Sequence, residues 1–284
     1  MDMQILSTAQ ELAAVCRQWH REGQSIALVP TMGYYHEGHA ALMDKARTLG
    51  DRVVVSLFVN PTQFGPHEDY AAYPRDLERD AQIAREHGAD LLFTPAPEEL
   101  YAEDAATWVE VPEMGQLLCG ISRPIHFRGV CTVCSKLFHL TQADYAVFGN
   151  KDWQQQAIIR RMVRDLFIPV TIVGVPIVRA ADGLALSSRN VYLTEEERAQ
   201  APEIYAGLQY AKDMVTHGET RASVLRDAVL RRWASRLPLG RLDYLQVIDS
   251  ASLNQIEEIT GPATMACAIK MGKARLIDNI QLNQ

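Results

Sequence analysis

Two histidines three positions apart, His36 and His39, stand within the segment Pro30–His39, PTMGYYHEGH. The H-x-G-H pattern follows a short apolar run and precedes a helical stretch. A helix start offers a positive dipole end and backbone N–H groups without intrahelical partners, and Gly38 would let a phosphate come close to the backbone. Two imidazoles would add donors where charge develops on a leaving pyrophosphate. The pattern predicts a phosphate-handling turn; a zinc pair is the weaker alternative because no third ligand is evident.

A second candidate for phosphate binding lies far along the chain, where Leu186 is followed by Ser187, Ser188 and Arg189. Two hydroxyls and a guanidinium can make forked, charge-assisted contacts with phosphate oxygens. Alone, the segment is more typical of an ordinary polar loop between domains. Together with H-x-G-H it resembles the paired motifs of adenylate-forming enzymes in the nucleotidyl-transfer superfamily, which favours a phosphate clamp.

A third candidate is the segment Gly149–Asp152, GNKD, at the end of one strand-like run and the start of a helix. Lys151 can place a point charge on phosphate. Asp152 can accept from ribose hydroxyls or cap the helix. In the first helical turn an amide of Gln154 or Gln155 can reach a cleft, although solvent exposure is the expected state of Gln154.

A fourth candidate, Phe58–Phe64 (FVNPTQF), follows another strand-like run. The neutral amide of Gln63 among apolar residues suits a small hydroxy-carboxylate better than a nucleotide. The later run SRPIHFRG adds Arg123, His126 and Arg128. The sequence leaves two interpretations of these three side chains open, either as helpers in binding a substrate anion or as residues of a surface loop.

Several classes of protein are excluded. The sequence has no G-x-G, no G-x4-G-K-[ST] and no G-x-S-x-G. These absences exclude a dinucleotide-binding Rossmann fingerprint, a P-loop and the nucleophile elbow of the α/β-hydrolases. A net charge of −7 argues against a nucleic-acid or membrane-surface binder. No apolar run approaches a membrane span and no secretory signal is evident, so a cytoplasmic protein is expected. Cys131 and Cys134 are expected to be buried thiols.

The elements that must position these motifs alternate between strand-like and helical runs. This alternation indicates βαβ units, hence an α/β fold with a parallel sheet and helices on both faces. In such sheets the ligand lies at the carboxyl ends of the strands, which is where the candidate motifs fall. The strand-like runs are 25–31, 52–59, 90–95, 144–149 and 168–178.

The pattern changes after about Pro176. A turn at Asp182-Gly183 is followed by one long helix capped by Thr194 and Glu197, a second helix over about 220–236, and two strand-like runs. These elements predict a smaller α+β domain. We therefore expect two domains, 1–176 and 177–284, with the H-x-G-H and GNKD motifs in the first.

Together the motifs resemble the pantothenate synthetase (pantoate–β-alanine ligase) family. The similarity covers nearly the whole chain, with PTMGYYHEGH, FVNPTQF, SRPIHFRGV, GNKDWQQ, VGVPIVRAADGLALSSRN and RLIDN in the family's order. The resemblance implies a Rossmann-like first domain, a C-terminal lid and a cytoplasmic homodimer. It also implies ligation of pantoate to β-alanine with ATP and Mg²⁺, through a pantoyl-adenylate, with release of AMP and pyrophosphate.

The resemblance also assigns roles to individual residues. It makes His39 the proton donor, assisted by His36 and Lys151, and places Gln63 against pantoate and β-alanine and Gln155 against pantoate. The metal ligands stay unassigned. The residues expected to bind ATP are Met32, Gly33, Tyr34, Tyr35, His36, Glu37, Gly38, His39, Gly149, Asn150, Lys151, Asp152, Val178, Leu186, Ser187, Ser188 and Arg189.

Two residues depart from the family pattern, and three rival functions remain. Asn150 stands where Glu is expected, and Thr62 where Met is expected; Thr62 adjoins Gln63 and is expected to alter the fit around pantoate. The rivals are an adenylyltransferase acting on a phosphate monoester, a tRNA synthetase and a non-enzymatic nucleotide sensor. The acidic chain has no room for a basic tRNA-binding domain, which disfavours the second.

Overall fold

The structure, a computed structural model, describes residues 3–66 and 68–283. The chain forms two compact units. The first runs to Gln116 and also contains Gly120–Asn150 and Ile158–Pro176; the second contains Leu117–Cys119, Lys151–Ala157 and the described residues from Ile177 onward. Two short stretches of the range expected for the first domain therefore belong to the second unit.

The part of the chain up to Pro176 is rich in alternating strands and helices. In order they are β1 (Gln4–Leu6), α1 (Ala9–Arg21), β2 (Ile26–Thr31), α2 (Glu37–Arg47), β3 (Arg52–Leu57), α3 (Leu77–Glu86), β4 (Leu91–Phe93), α4 (Pro97–Leu100), α5 (Pro112–Gly115), α6 (Cys119–Ser122), α7 (His126–Thr141), β5 (Tyr145–Gly149), α8 (Trp153–Asp165) and β6 (Thr171–Val175). Short 3₁₀ turns cover Pro61–Gln63 and Asn150–Asp152.

Among the described residues, six strands form one sheet in the order β1-β4-β3-β2-β5-β6, with every neighbouring pair parallel. Ile26–Val29 of β2 and Val53–Val55 of β3 are fully buried, as is expected of central parallel strands covered on both faces. The predicted α/β class with a parallel sheet is confirmed. Since β3 and β5 flank β2, the segments that follow these three strands leave the sheet at one edge.

Several elements in this part of the chain were not predicted, namely β1, α7 and the short helices α4, α5 and α6. β1 is only three residues long and pairs with β4 at the sheet edge. α7 begins directly after the SRPI segment. The side chain of its N-cap residue, Ile125, makes no hydrogen bond to the helix start, and residues on most sides of the helix are buried. A helix that is apolar on all sides and lacks a capping residue shows neither periodicity nor a start signal in its sequence. α3 begins at Leu77, where Asp76 provides the cap.

The second unit consists of helices and an antiparallel sheet, which confirms the predicted α+β class. Its elements are α9 (Glu195–Gln200), α10 (Glu203–Thr216), α11 (Ala222–Arg236), β7 (Arg241–Asp249), β8 (Ala263–Met271) and β9 (Ala274–Gln281), with a 3₁₀ turn over Ser188–Tyr192. The strands pair in the order β7-β8-β9. The core contains Leu208, Leu225, Trp233, Met265 and Ile269, all buried.

One expectation for this unit was wrong in detail. Thr194 and Glu197 do form a capping box, but the helix they start ends at Gln200. Pro202 follows as the N-cap residue of the next helix, so the expected single helix is two. Proline has no N–H to continue the ladder, and its ring clashes with the carbonyl four residues earlier. β9, which contains the RLIDN motif, was not predicted as a strand.

Cys131 and Cys134 are buried and form no disulfide, as expected. Burial raises the pKa of the Cys131 thiol to about 12 and raises the pKa of Cys134 as well. These two thiols are therefore packing residues and not nucleophiles. No helix within the described part of the chain has the length and apolar character needed to cross a membrane.

Candidate active site

The two histidines of the H-x-G-H motif form a reciprocal cap at the start of α2. His36 is the N-cap residue, and its Nδ1 accepts a hydrogen bond from the Gly38 N–H at 3.0 Å. His39 lies one turn later, and its Nδ1 accepts from the His36 N–H at 3.3 Å. An Nδ1 that accepts carries no proton, so each neutral ring is protonated on Nε2. The three-residue spacing of the motif is the spacing of a capping box, and the box fixes Nε2 as the donor atom of both rings.

The backbone of this turn is less available than the sequence suggested. The Gly38 N–H is bound to His36, and the N–H groups of His39 and Ala40 donate to the His36 carbonyl at 2.8 and 3.1 Å. The expectation that the backbone donors at this helix start are unpaired is therefore wrong for Gly38 and His39, whereas the Ala40 bond is the ordinary first bond of the helix. In this turn the imidazoles, and not these backbone groups, are the donors suited to phosphate.

Gly38 has a steric role within the turn. A Cβ at this position would lie 2.7 Å from Cε1 and 2.9 Å from Nδ1 of His36. Real Cβ contacts are essentially never that short, so a larger residue would push the ring of His36 out of its cap. Glycine is required here by the folded-back imidazole, which is a different reason from the close approach of phosphate that the sequence predicted.

The turn before the histidines is held by a buried acid, Asp80 of α3. Its Oδ2 accepts from the Tyr34 N–H at 2.6 Å and its Oδ1 from the Tyr35 N–H at 2.7 Å. Gly33 and Tyr34 both have left-handed backbone conformations, with φ of 86° and 54°. Burial raises the pKa of Asp80, while the two backbone donors act in the opposite direction. Asp80 thus pins two consecutive peptides that would otherwise favour another conformation.

Sequence analysis did not assign a role to Asp80, although a signal was present. Asp80 lies on the buried face of α3 together with Ala81 and Ala84. An acid on the apolar face of an amphipathic helix requires a hydrogen-bonding partner. That requirement predicts a partner but does not identify the turn at residues 34 and 35.

Tyr34 and Tyr35 brace the turn from two sides. The ring of Tyr35 is fully buried, and its hydroxyl lies 3.0 Å from Thr31 Oγ1. Arg79 donates to the Tyr35 carbonyl at 2.9 Å, and its guanidinium lies 5.3 Å from the centroid of the Tyr34 ring. Burial raises the pKa of Tyr35, so its hydroxyl stays protonated. The Tyr35 side chain belongs to the core, and a contact of either tyrosine with ATP stays a prediction.

Gln63 is brought next to the histidine turn. Its side chain is 6 % exposed, and its Nε2 lies 2.8 Å from Sδ of Met32. Asn60 donates from Nδ2 to Gln63 Oε1 at 3.1 Å and to the Gly129 carbonyl at 3.1 Å. The amide of Gln63 is therefore oriented by groups on both of its atoms. Met32 and Gln63 are two predicted site residues that the structure places in contact.

Thr62 joins the same network through its hydroxyl. Its Oγ1 lies 2.9 Å from Asn60 Oδ1 and 3.1 Å from the Tyr101 hydroxyl. Asn60 Oδ1 also accepts from the Thr62 N–H at 3.3 Å. A methionine at this position would have no hydroxyl to offer, so this departure from the family pattern adds a polar constraint on Asn60.

Arg123 and His126 support the backbone of Gln63, while a contact of either side chain with a substrate anion stays a prediction. His126 Nδ1 lies 3.0 Å from the Gln63 carbonyl and must donate to it, so its Nε2 accepts from Arg123 at 3.1 Å. Arg123 also pairs with Glu68, with Nε 3.1 Å from Oε1. His126 is buried. Both residues are internal supports, with the charge of Arg123 balanced by Glu68, and neither is an ordinary surface-loop residue.

In the second unit, the start of α8 is tied to its surroundings at several points. The Lys151 carbonyl accepts from Asn279 Nδ2 at 2.9 Å, and Trp153 Nε1 donates to the Ser250 carbonyl at 3.1 Å. Gln154 is buried, with Oε1 accepting from the Cys119 N–H at 3.0 Å and Nε2 donating to the Leu117 carbonyl at 2.7 Å. The expected exposure of Gln154 is therefore wrong.

Five further predicted ATP residues lie in and after a tight hairpin of the second unit, namely Val178 and Leu186–Arg189. The Leu186 N–H donates to the Val178 carbonyl at 3.0 Å, which places these two predicted residues side by side. Ser187 caps the following 3₁₀ turn, and its Oγ accepts from the Arg189 N–H at 3.3 Å. Ser188 is buried. Ligand contacts of these residues, and of half-buried Gln155, stay predictions.

Residues 4–281 match the model of the pantoate-beta-alanine ligase family. The chain belongs to this family. A pantothenate synthetase of Desulfovibrio desulfuricans is 65 % identical over 99 % of this chain and 100 % of that protein, and one of Pelotomaculum thermopropionicum is 49 % identical over 99 % and 100 %. The crystal structure of the pantothenate synthetase from Thermus thermophilus has a TM-score of 0.94 at 44 % identity, covering 99 % of this chain and 100 % of that one.

Another solved member of the pantoate-β-alanine ligase family carries ligands. The enzyme from Francisella tularensis, complexed with beta-gamma ATP and β-alanine, has a TM-score of 0.80 at 32 % identity, covering 99 % of this chain and 98 % of that one. Full-length similarity at this level shows that the present chain is an enzyme of the ligase family, with the fold of its solved members.

A dedicated metal centre is not part of what the structure describes. Within residues 3–66 and 68–283, no three His, Cys, Asp or Glu side chains form a group that could hold a metal ion. ATP-using sites commonly bind Mg²⁺ through phosphate oxygens and waters with only one or two carboxylates.

Proposed function

We propose that this enzyme ligates pantoate to β-alanine, consuming ATP and releasing AMP and pyrophosphate, through a pantoyl-adenylate. The observation that carries the proposal is the histidine cap, in which His36 and His39 are both held with a proton on Nε2. Neighbouring Gln63 supplies an oriented neutral amide, which suits a hydroxy acid. The similarity to the Francisella tularensis ligase, complexed with beta-gamma ATP and β-alanine, supports the same substrates.

In the first step the pantoate carboxylate attacks the α-phosphorus of ATP. A new P–O bond forms to the carboxylate, and the bond between the α-phosphorus and the bridging oxygen breaks, so pyrophosphate leaves with the electron pair. Nε2–H of His39 donates to the departing oxygens as proton donor, and His36 assists. Lys151, Ser187, Ser188 and Arg189 provide charge and further donors to the phosphates.

In the second step the amine of β-alanine attacks the acyl carbon of the adenylate. The C–N bond forms, the C–O bond to AMP breaks, and the amine loses a proton. Gln63 and Gln155 hold the pantoyl group through its hydroxyls. The bonds from Asn60 and to Met32 restrict rotation of the Gln63 amide, which reduces the entropy lost when pantoate binds.

Mg²⁺ is proposed to enter as MgATP, where it neutralises phosphate charge. We also propose that the protein is a cytoplasmic homodimer, as the family resemblance implies. Light scattering on the purified chain at several concentrations tests the oligomeric state, and a monomer at micromolar concentration would contradict it.

A single assay tests the reaction: pantoate-dependent release of pyrophosphate from ATP, with and without β-alanine, with the product identified by mass. A ligase forms pantothenate only when all three substrates are present. An adenylyltransferase ignores the amine, a tRNA synthetase depends on an amino acid and not on pantoate, and a nucleotide sensor binds ATP without releasing pyrophosphate. His217→Ala, which alters a histidine that caps α10, is a control for general effects of losing an imidazole.

A further inference from the structure

Two consecutive polar residues of β9, Asp278 and Asn279, are almost completely buried, at 4 % and 6 % exposure. They belong to the RLIDN motif, to which neither the fold nor the proposed mechanism assigns a role. Successive residues of a strand point to opposite faces of the sheet, so the two side chains reach different segments. Each contacts a segment of the second unit that contains predicted ATP-binding residues.

Asn279 holds the segment that contains Lys151. Its Nδ2 donates to the Lys151 carbonyl at 2.9 Å, across 128 positions of sequence. The Asn279 N–H in turn donates to Asp278 Oδ1 at 2.8 Å. Because the bond is to the backbone of Lys151, it fixes the peptide from which the lysine side chain projects and leaves the ammonium group to act elsewhere.

Asp278 holds the hairpin that carries Val178 and Leu186. Its two oxygens pair with the two terminal nitrogens of Arg179 at 2.7 and 2.8 Å. Arg179 also donates to the Gly183 carbonyl at 3.1 Å across the hairpin, and its guanidinium lies 3.5 Å from the centroid of the Tyr205 ring. A bidentate pair of this kind fixes direction as well as distance.

The charges of this arrangement are compatible with an anionic ligand. An unpaired Asp278 would repel phosphate, but Arg179 neutralises it at close range. The net result is a rigid connection without added negative charge. An apolar pair of equal volume would pack as well but would not fix the hairpin in one orientation, because dispersion contacts are not directional.

We propose that Asp278 and Asn279 are positioning residues for the nucleotide: one strand sets the backbone of Lys151 and of the segment Leu186–Arg189. This proposal rests on the proposed function, because it assumes that these two segments bind ATP. Its alternative is that both residues only stabilise the sheet.

Two variants separate the two connections. Asn279→Asp keeps the shape of the side chain but removes the donor to the Lys151 carbonyl. Arg179→Lys keeps the positive charge but cannot form the forked pair with Asp278. Glu203→Gln is the control, because it breaks a half-buried pair with Arg232 in the same unit without touching either segment.

Hydrogen exchange of the ligand-free, full-length protein is measured first. We expect Asn279→Asp to speed exchange in residues 151–157 and Arg179→Lys to speed it in residues 177–190, each by about 10-fold, whereas Glu203→Gln changes neither. In the pyrophosphate assay we expect the KM for ATP to rise by about 5- to 10-fold in both variants, with the KM for β-alanine unchanged.

A purely structural role predicts a different result. If both variants lower the melting temperature as the control does, while the KM for ATP and the exchange of their own segments match wild type, the proposal is wrong. Hydrogen exchange and a direct calorimetric titration of each variant with ATP, run beside the pyrophosphate assay, need neither pantoate nor β-alanine. A wild-type enzyme that binds ATP but makes no pantothenate would therefore refute the proposed function, and the variants would still decide the role of Asp278 and Asn279.

Discussion

The two candidate phosphate-binding regions of this chain are built in contrasting ways. The histidine turn is organised by its own residues, since His36 and His39 cap each other and Gly38 leaves room for the ring. In the second region, Asn279 holds the Lys151 carbonyl across 128 positions, and Asp278 holds Arg179, in the hairpin that leads to Leu186–Arg189, across 99 positions. Local contacts form the histidine cap itself, with Asp80 holding the turn before it, whereas both segments of the second region are bound to β9.

The difference also concerns the chemistry that each region offers. The histidine turn presents neutral donors, whose protonation on Nε2 is dictated by the backbone N–H groups bound to Nδ1. The second region presents the permanent charges of Lys151 and Arg189. Directional donors need rigid rings, which a short capping box can supply. Point charges on long side chains need a fixed backbone, which in this protein comes from a distant strand.

The largest expected effect comes from removing one donor from either region. His39→Ala and Lys151→Ala are each expected to lower the rate of adenylate formation by about 10²- to 10³-fold, the range for losing one such donor. Pantoate-dependent pyrophosphate release measures this, with His217→Ala as the control. Near-normal turnover in either variant would show that its region has been given the wrong role.

Gly38→Ala tests whether the first region depends on its own packing. The added Cβ would lie 2.7 Å from the His36 ring, so the ring must move, and we expect pyrophosphate release to fall by about 10- to 100-fold. The matched control is Gly261→Ala, where a Cβ meets nothing within 4 Å. Equal activity of the two variants would show that the cap of His36 is not needed for catalysis.

Asp80→Asn tests a distant residue that holds the turn before the histidines. The amide can accept from only one of Tyr34 and Tyr35 and must oppose its NH₂ to the other, so we expect about a 10-fold loss of activity. The buried carboxylate also affects stability through its pKa, which is raised above 3.8 in the folded protein. The folded state then binds the proton more tightly than the unfolded state.

The sign of the pH dependence follows from that shift. The free energy of unfolding of the wild type, measured relative to Asp80→Asn, should fall as the pH rises from about 3.8 to the higher pKa of the folded state, and should be constant beyond it. Urea unfolding of both proteins across this interval measures the difference. A relative stability that rises over the same interval would mean that the hydrogen bonds from residues 34 and 35 outweigh burial.

The smallest expected effect concerns the neighbour of Gln63. Thr62→Met removes the hydroxyl that lies against Asn60 and Tyr101, and restores the residue expected from the family pattern. We expect the KM for pantoate to change by about threefold, with the KM for ATP unchanged, which is the scale of one net hydrogen bond. A change in the KM for ATP alone would contradict the assignment of Thr62 to the part of the site that binds pantoate.

Much of the fold could be predicted because its signals are local. The apolar runs of β2 and β3 indicate buried parallel strands, and Thr194 with Glu197 indicates a helix start. The predictions failed where the burial of a side chain depends on groups distant in sequence, or where one residue interrupts a helix. Gln154 was expected in solvent because nothing nearby in sequence shows that Leu117 and Cys119 bind its amide. α7 has no side-chain cap at its start and is buried on most of its sides, so its sequence gives no helix signal. Pro202 divides the predicted long helix into two, although the helical pattern of residues continues on both sides of it.

The candidate site follows the same division. The types and spacing of the residues are enough to predict the H-x-G-H turn, because a capping box needs only residues at its first and fourth positions. The order of six motifs along the sequence is likewise enough to indicate the family. The roles of Asp80, Asp278 and Asn279 depend on contacts between residues that no periodicity links, so they became visible only when the folded chain brought those residues within hydrogen-bonding distance.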